Sequence, residues 1–362
     1  MKIGVVTTSY PRHDGDAAGN FVAAHVGAMR ALGHEVTVIA AAHELPGTLL
    51  AGAGGPDELE RRGLRGLVEA AQTTARLTAL VTRRARDCDL LVAHWLAPSA
   101  IAALPSRVPV LAIAHGGDVH TLRRLHLLGP VLRLLRARGV RIAFVSPELR
   151  DIAVAAAPVP DAIVQPMGLD VAHFAALGRA PKQEILVAAR LVPIKGVDVA
   201  IAALAHVPTA RLVIAGDGPE RASLEGLARR LRLADRVTFA GTVDARRRDQ
   251  LLREAAVVVV PSRVLANGRT EGTPMIALEA LATGVPVVAS AVGGLASLHG
   301  AVRVRPDDPR ALSTAVDRIL TLPPPAQELR SSVRHLAWTH VAAHLLAHAG
   351  CATGDTRSSP SA

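Results

Sequence analysis

The sequence predicts an α/β protein built from two doubly wound parallel-sheet domains that face each other across a cleft. Three observations carry that expectation. Short, continuously apolar segments recur between stretches of helical length, as strands covered on both faces do. The rhythm pauses once, near residues 166–182, and then restarts. The length of 362 residues, half of them hydrophobic, suits two cores.

In chain order, IGVVT (3–7), EVTVIA (35–40), LLVAH (90–94), VPVLAIA (108–114) and IAFVS (142–146) read as the strands of the first domain. EILVAAR (184–190), RLVIAGD (211–217), RVTFAG (236–241), AVVVVPS (256–262) and VPVVASA (285–291) read as those of the second. The expected boundaries are 1–167 for the first domain, 168–182 for a linker and 183–334 for the second domain. A C-terminal helix at about 335–351 crosses back to the first domain, and residues 352–362 read as a disordered tail.

Composition removes several classes of function. Two Trp, one Tyr and four Phe leave no stacking platform for bases and no aromatic groove for sugar. Two cysteines without a CxxC argue against a disulfide framework and a structural zinc. No 18-residue apolar run and no leader-like apolar segment at the start point to a cytoplasmic protein, with the inner membrane face as a second option. The net charge is +10, and 38 of the 41 basic residues are arginines, the lysines being Lys2, Lys182 and Lys195. Residues 1–180 carry 19 basic and 15 acidic residues (+4) and the remainder 22 and 16 (+6), so neither half reads as a nucleic-acid-binding domain. Between Asp118 and Glu148 there is no acid, while Arg123, Arg124, Arg133, Arg136, Arg138 and Arg141 all fall there. That window, 120–141, reads either as a basic surface for anionic lipid or as a solvated pair of helices, with Pro130 dividing it.

The stretch EGTPMIALEALATGVPVVAS (271–290) is the most informative. Thr273 suits an N-cap, Pro274 the first helical position, and Gly284 the helix end, which leaves Glu271 before the helix and Glu279 within it. Free N–H groups at that helix start can receive an anion or hydroxyls, although glutamates on helices are as often merely solvated. In AARLVPIKG, Arg190 closes a strand and Lys195 follows five residues later, a cation pair able to neutralise a diphosphate. The next strand runs into Gly216-Asp217-Gly218, a turn beside a strand end.

In this order and spacing the three segments resemble the large retaining family of GT-B glycosyltransferases marked by an E-x7-E pattern (glycosyltransferase family 4, glycosyl transferases group 1), and the likeness runs from the first strand to about Trp338. The resemblance implies two Rossmann-like domains and a metal-independent transfer of sugar from a nucleotide-diphosphate donor to an acceptor hydroxyl. It implies that Arg190 and Lys195 bind the donor diphosphate, that Glu271 contacts sugar hydroxyls, and that Glu279 holds the ribose. Gly272, Thr273, Pro274 and Met275 would offer main-chain groups to the donor, beside Gly216 and Gly218. In the first domain it places Gly19 at the donor phosphate and His115 and Asp118 at the reacting carbon, with His94 and Trp95 on the acceptor side. His115 also reads as a packing histidine, and its glycine neighbours favour the functional role.

Two features set limits. Where the family carries GGxxE, this chain has Gly293, Gly294 and then Ser297. Asp87-Cys88-Asp89 is a DxD, but it precedes a strand rather than following one, so no metal or other cofactor is expected. A nucleotide-sugar epimerase on the same fold and a non-catalytic nucleotide-sugar-binding protein remain as alternatives. The expected partners are a nucleotide sugar and an unidentified acceptor, a lipid-linked one being an option, with peripheral membrane contact through 120–141 as another.

Overall fold

The structure, a computed structural model, describes residues 1–350 except 14, 15, 17, 46, 49–54, 267, 269 and 273, with backbone alone at 55–58, 60, 61 and 64. The chain divides into two compact units, Met1–Gly168 together with the chain from Trp338 onward, and Leu169–Ala337.

The first unit holds a six-stranded parallel sheet of β1 (Lys2–Thr7), β2 (Glu35–Ala40), β3 (Leu90–His94), β4 (Val110–Ala114), β5 (Arg141–Phe144) and β6 (Ile163–Val164), in the order β2-β1-β3-β4-β5-β6. β3 and β4 are buried along their whole length, which explains their unbroken apolar sequence. Ile3, Leu90, Leu91, Leu111, Ile113 and Phe144 are all fully buried in this sheet. The helix Asn20–Ala31 buries Val22, His25, Val26 and Met29, a stripe at helical spacing with one polar member. The helix Trp338–His348 packs against it.

The second unit repeats the plan with β7 (Glu184–Ala188), β8 (Arg211–Ala215), β9 (Val237–Gly241), β10 (Val257–Val260), β11 (Val287–Ser290) and β12 (Ala301–Val304), in the order β12-β11-β10-β7-β8-β9. Strand order reverses at the β7–β10 pair, the first and fourth strands of this sheet. In open α/β sheets ligands bind outside the carboxyl ends of the strands at such a point.

Four details depart from the sequence reading. β6 and β12 were not anticipated: β6 spans two residues, and β12 is an edge strand with Val302 and Arg303 exposed, so neither carries a buried apolar run. Residues 168–182 do not run as a bare linker, because the helix Val171–Ala176 buries Phe174 in the second unit and Leu169 bridges to Ala337. In the arginine-rich window the break falls at His126, whose φ is 56°, and not at Pro130. Pro130 sits in the first turn of the helix Leu128–Ala137, where an N–H has no helical partner to lose. The expected tail, 352–362, lies outside the described residues.

Candidate functional site

The carboxyl ends of β7 and β10 carry the densest chemistry of the second unit. The loop after β7 is laced to the loop after β8 by hydrogen bonds from Ala189 N–H to the Ala215 carbonyl (2.9 Å) and from Leu191 N–H to the Asp217 carbonyl (2.9 Å). The two glycines there permit this approach: a Cβ on Gly216 would lie 1.9 Å from the Ala189 carbonyl oxygen, and one on Gly218 2.4 Å from that of Leu191. Arg190 is exposed at the same strand end. A tight turn, Pro193–Lys195, then hands the chain to Gly196, whose φ is 59°.

Lys195 and Glu271 meet at this point, although 75 positions separate them in sequence. Nζ of Lys195 lies 2.5 Å from Oε2 of Glu271, with the side chains 21% and 15% exposed. Ser262, fully buried just past β10, donates its hydroxyl to the same carboxylate oxygen at 3.4 Å. The carbonyl of Glu271 accepts from Gly294 N–H at 3.1 Å, so the Gly293-Gly294 turn braces Glu271 even though Ser297, which stands in place of the family's acid, is exposed. The pairing is charge-assisted and half out of water, and so is short-range electrostatics that an incoming anion must compete with.

Gly272 and Pro274 follow in the same loop, Met275 opens the helix after it, and Thr273 lies outside the described residues. Pro274 caps the helix Met275–Thr283 and does not open it, its ψ of 124° being extended, and Gly284 closes the helix at φ 83°. Every residue from Ile276 to Thr283 is buried. Glu279 is therefore not a solvated helix glutamate: it is 8% exposed in an otherwise uncharged, buried helix. Burial pushes its carboxyl up from the ordinary range, and Arg248 pulls it the other way. Arg248 Nη1 lies 3.4 Å from Glu279 Oε1, its guanidinium sits 5.1 Å over the Phe174 ring, and its Nη2 bonds Asp249 at 2.8 Å. His173 Nε2 closes the row at 2.8 Å from Asp249. Arg248, Asp249, His173 and Phe174 were missed in the sequence, where ARRR at 245–248 reads as a solvated helix start.

In the first unit the ends of β3 and β4 adjoin, and His94 and His115 leave them side by side. His94 Nδ1 is 3.0 Å from His115 Nε2, with the two ring planes 12° from parallel and their centroids 5.1 Å apart. Phe21 leans on both rings and on Trp95, whose φ of 78° is unusual for a bulky residue. Asp118 is buried and accepts three backbone N–H groups, from Leu96 (2.7 Å), Gly116 (3.1 Å) and His115 (3.2 Å). It thus ties the β3 loop to the β4 loop and shapes the His115 turn. Burial raises its pKa, and the backbone donors oppose that.

Gly19, at φ 77°, caps the helix Asn20–Ala31 where a Cβ would lie 2.5 Å from the Ser9 carbonyl oxygen, so the loop after β1 passes close beneath it. A further histidine, His25, joins His94 from behind and was not anticipated; its only sequence signal is a polar residue on the apolar stripe of its helix. Among the described residues no cluster of three or more His, Cys, Asp or Glu side chains is gathered as a metal site.

Two like parallel sheets, each with its candidate side chains at strand carboxyl ends, define a protein of the GT-B class, and comparison with known proteins agrees. Residues 18–173 match Glycosyltransferase Family 4 and residues 172–335 match Glycosyl transferases group 1, most of the chain between them. The chain belongs to these glycosyltransferase families. It is similar to a D-inositol 3-phosphate glycosyltransferase of Mycolicibacterium gilvum, 35% identical over 222 residues, covering 54% of this chain and 47% of the relative. It also resembles the glycogen synthase of Mycobacterium tuberculosis, 35% identical over 178 residues, covering 46% and 42%. The chain thus spans under half the length of these curated relatives. In fold it matches Anabaena HepE, crystallised with UDP and glucose, at a TM-score of 0.70 and 19% identity over 96% of this chain and 98% of that one. Sucrose-phosphate synthase from Thermosynechococcus elongatus matches at 0.72 and 22%, covering 95% and 96%.

Proposed function

We propose that this chain is a retaining, metal-independent glycosyltransferase that moves a sugar from a UDP- or GDP-sugar to an acceptor hydroxyl in glycan, exopolysaccharide or glycolipid synthesis. The observation that carries the reading is the Lys195–Glu271 pair at the β7–β10 switch point, with the buried Glu279 eight residues further on. UDP in the HepE structure supports the uridine donor.

In this reading the donor diphosphate takes Lys195 as its counter-ion, with Arg190 beside it and Gly216 and Gly218 allowing close backbone approach. Glu271, released from Lys195, accepts hydrogen bonds from sugar hydroxyls. Glu279, steadied by Arg248, accepts those of the ribose. Gly272, Pro274 and Met275 border the sugar, and Gly19 borders the phosphate. The bond from the anomeric carbon to the phosphate oxygen breaks, the acceptor oxygen bonds to that carbon on the same face, and its proton passes to the departing diphosphate. Lys195 and Arg190 meet the charge that develops there, a contribution of roughly 2.7 to 4 kcal/mol for one such donor. His115 and Asp118, with His94 and Trp95, serve the acceptor side.

No described helix is long and apolar enough to cross a membrane. Contact with a membrane surface at the inner, cytoplasmic face rests on the exposed arginines 123, 124, 133, 136, 138 and 141, among which Leu127 and Leu134 are also exposed.

Thermal shift with UDP, GDP and their sugars tests the donor: one nucleotide class raises the melting temperature of the wild type, and Lys195→Ala abolishes the shift. Transfer assays on Lys195→Ala and Glu271→Ala then test the chemistry. Wild-type turnover in both variants would refute the assignment, and conversion of donor without acceptor would favour an epimerase.

A further inference from the structure

Three histidines stand in line in the first unit, one from each of three elements. His25, from the helix Asn20–Ala31, places Nδ1 3.2 Å from Nε2 of His94, and His94 places Nδ1 3.0 Å from Nε2 of His115. His25 and His94 are fully buried, whereas His115 is partly exposed. At the inner end, Nε2 of His25 is buried and has no hydrogen-bond partner among the described residues. The His25 ring stacks on Trp338, 5.7 Å away and only 19° from parallel.

These contacts leave a binary choice. Desolvation holds all three rings well toward the neutral form, so each carries one N–H and each contact one proton. If His94 carries its proton on Nδ1, His115 must accept at Nε2 and bear its own proton on Nδ1, while His25 donates from Nδ1 and leaves Nε2 bare. If His94 carries it on Nε2, every ring reverses, and His25 is left with a buried N–H that has no acceptor. An imidazole N–H lies in its ring plane, so a near-parallel Trp338 cannot receive it on its face. A stranded buried N–H is among the rarest defects in folded proteins, and a bare ring nitrogen is the lesser one.

We infer that His25 and His94 are positioning residues that lock His115 into the Nδ1–H tautomer, so that its remaining ring nitrogen presents a hydrogen-bond donor and not a base. His115 then donates to an oxygen of substrate, a hydroxyl or carbonyl lone pair, and takes no proton from the acceptor. The use of this donor in transfer rests on the function proposed above. The lock itself does not.

The test is nitrogen-15 NMR of the histidine rings in the full-length protein at neutral pH, which distinguishes the protonated from the bare nitrogen in each ring. The wild type should show Nδ1 protonated and Nε2 bare in His25, His94 and His115. In His25→Asp, whose carboxylate can accept from His94 Nε2–H, the row should reverse, with His115 protonated on Nε2 and bare on Nδ1. Turnover should then fall more than twofold, as the competent tautomer becomes the minority, with donor KM unchanged. Nε2–H at His115 in the wild type, or a mixture there, overturns the inference without any variant having to fold. A His115 tautomer unmoved in His25→Asp, with His94 neutral, overturns it as well. A lock present in the wild type and lost in the variant, with turnover unaffected, overturns instead the use of His115 in transfer.

Discussion

Acid is expected to weaken the first unit through its buried histidines, and His25 allows the magnitude to be worked. The ring is fully buried, and desolvation lowers its pKa from 6.5 to about 4. The folded-state value lies below the unfolded one, so the unfolded chain binds the proton first. The stabilisation is fully present above pH 6.5 and is lost as pH falls toward 4. A shift of that size is worth about 3 kcal/mol in full, at 1.36 kcal/mol per unit, and about 2 kcal/mol of it is gone by pH 5. His115, held near 3 by desolvation and by His25, acts in the same direction. Asp118, whose pKa burial raises, acts in the opposite one, but it is common to the wild type and a His25→Phe variant and cancels between them. Both tryptophans of the chain, Trp95 and Trp338, belong to this unit, so their fluorescence follows its unfolding in urea. Between pH 7.5 and 5 the wild type should lose about 2 kcal/mol more than His25→Phe. Equal losses in the two proteins would show that His25 is not held neutral by the fold.

The other predictions concern separate features. Gly196→Ala puts a Cβ 2.1 Å from the Pro261 carbonyl oxygen at a φ of 59°, so urea unfolding should show a loss of at least about 1–3 kcal/mol from the strained backbone, together with weaker donor binding. Arg248→Ala removes the cation beside Glu279, which should raise that carboxyl's pKa further and raise the donor KM more than it lowers kcat, as steady-state kinetics will show. Arg133→Ser with Arg136→Ser should cut co-sedimentation with anionic vesicles about fivefold per arginine at low salt, at about 1 kcal/mol each. No binding to anionic vesicles by the wild type, or unchanged binding by the double variant, would argue for a merely solvated helix pair.

Much of this molecule was legible without coordinates because its information is local. Continuous apolar runs specify strands buried on both faces, and ten of the twelve strands were found in that way; β6 and β12 escaped because one is two residues long and the other lies half-exposed at an edge. The E-x7-E spacing, the strand-end cations and the glycine turns lie within single short segments, so their pattern survives in one dimension. Whether Glu279 is solvated or buried was undecidable there, since one helix does not reveal what packs around it; eight consecutive buried residues settled it. Only the tertiary structure brought Lys195 to Glu271 and Arg248 to Glu279, because these pairs close across the loops and helices of a folded sheet. The histidine row depends on it most. His25, His94 and His115 sit on three elements, and in sequence each is one of fifteen histidines. Parallel strands that end at the same level, with a helix laid across them, place their ring nitrogens at hydrogen-bonding distance.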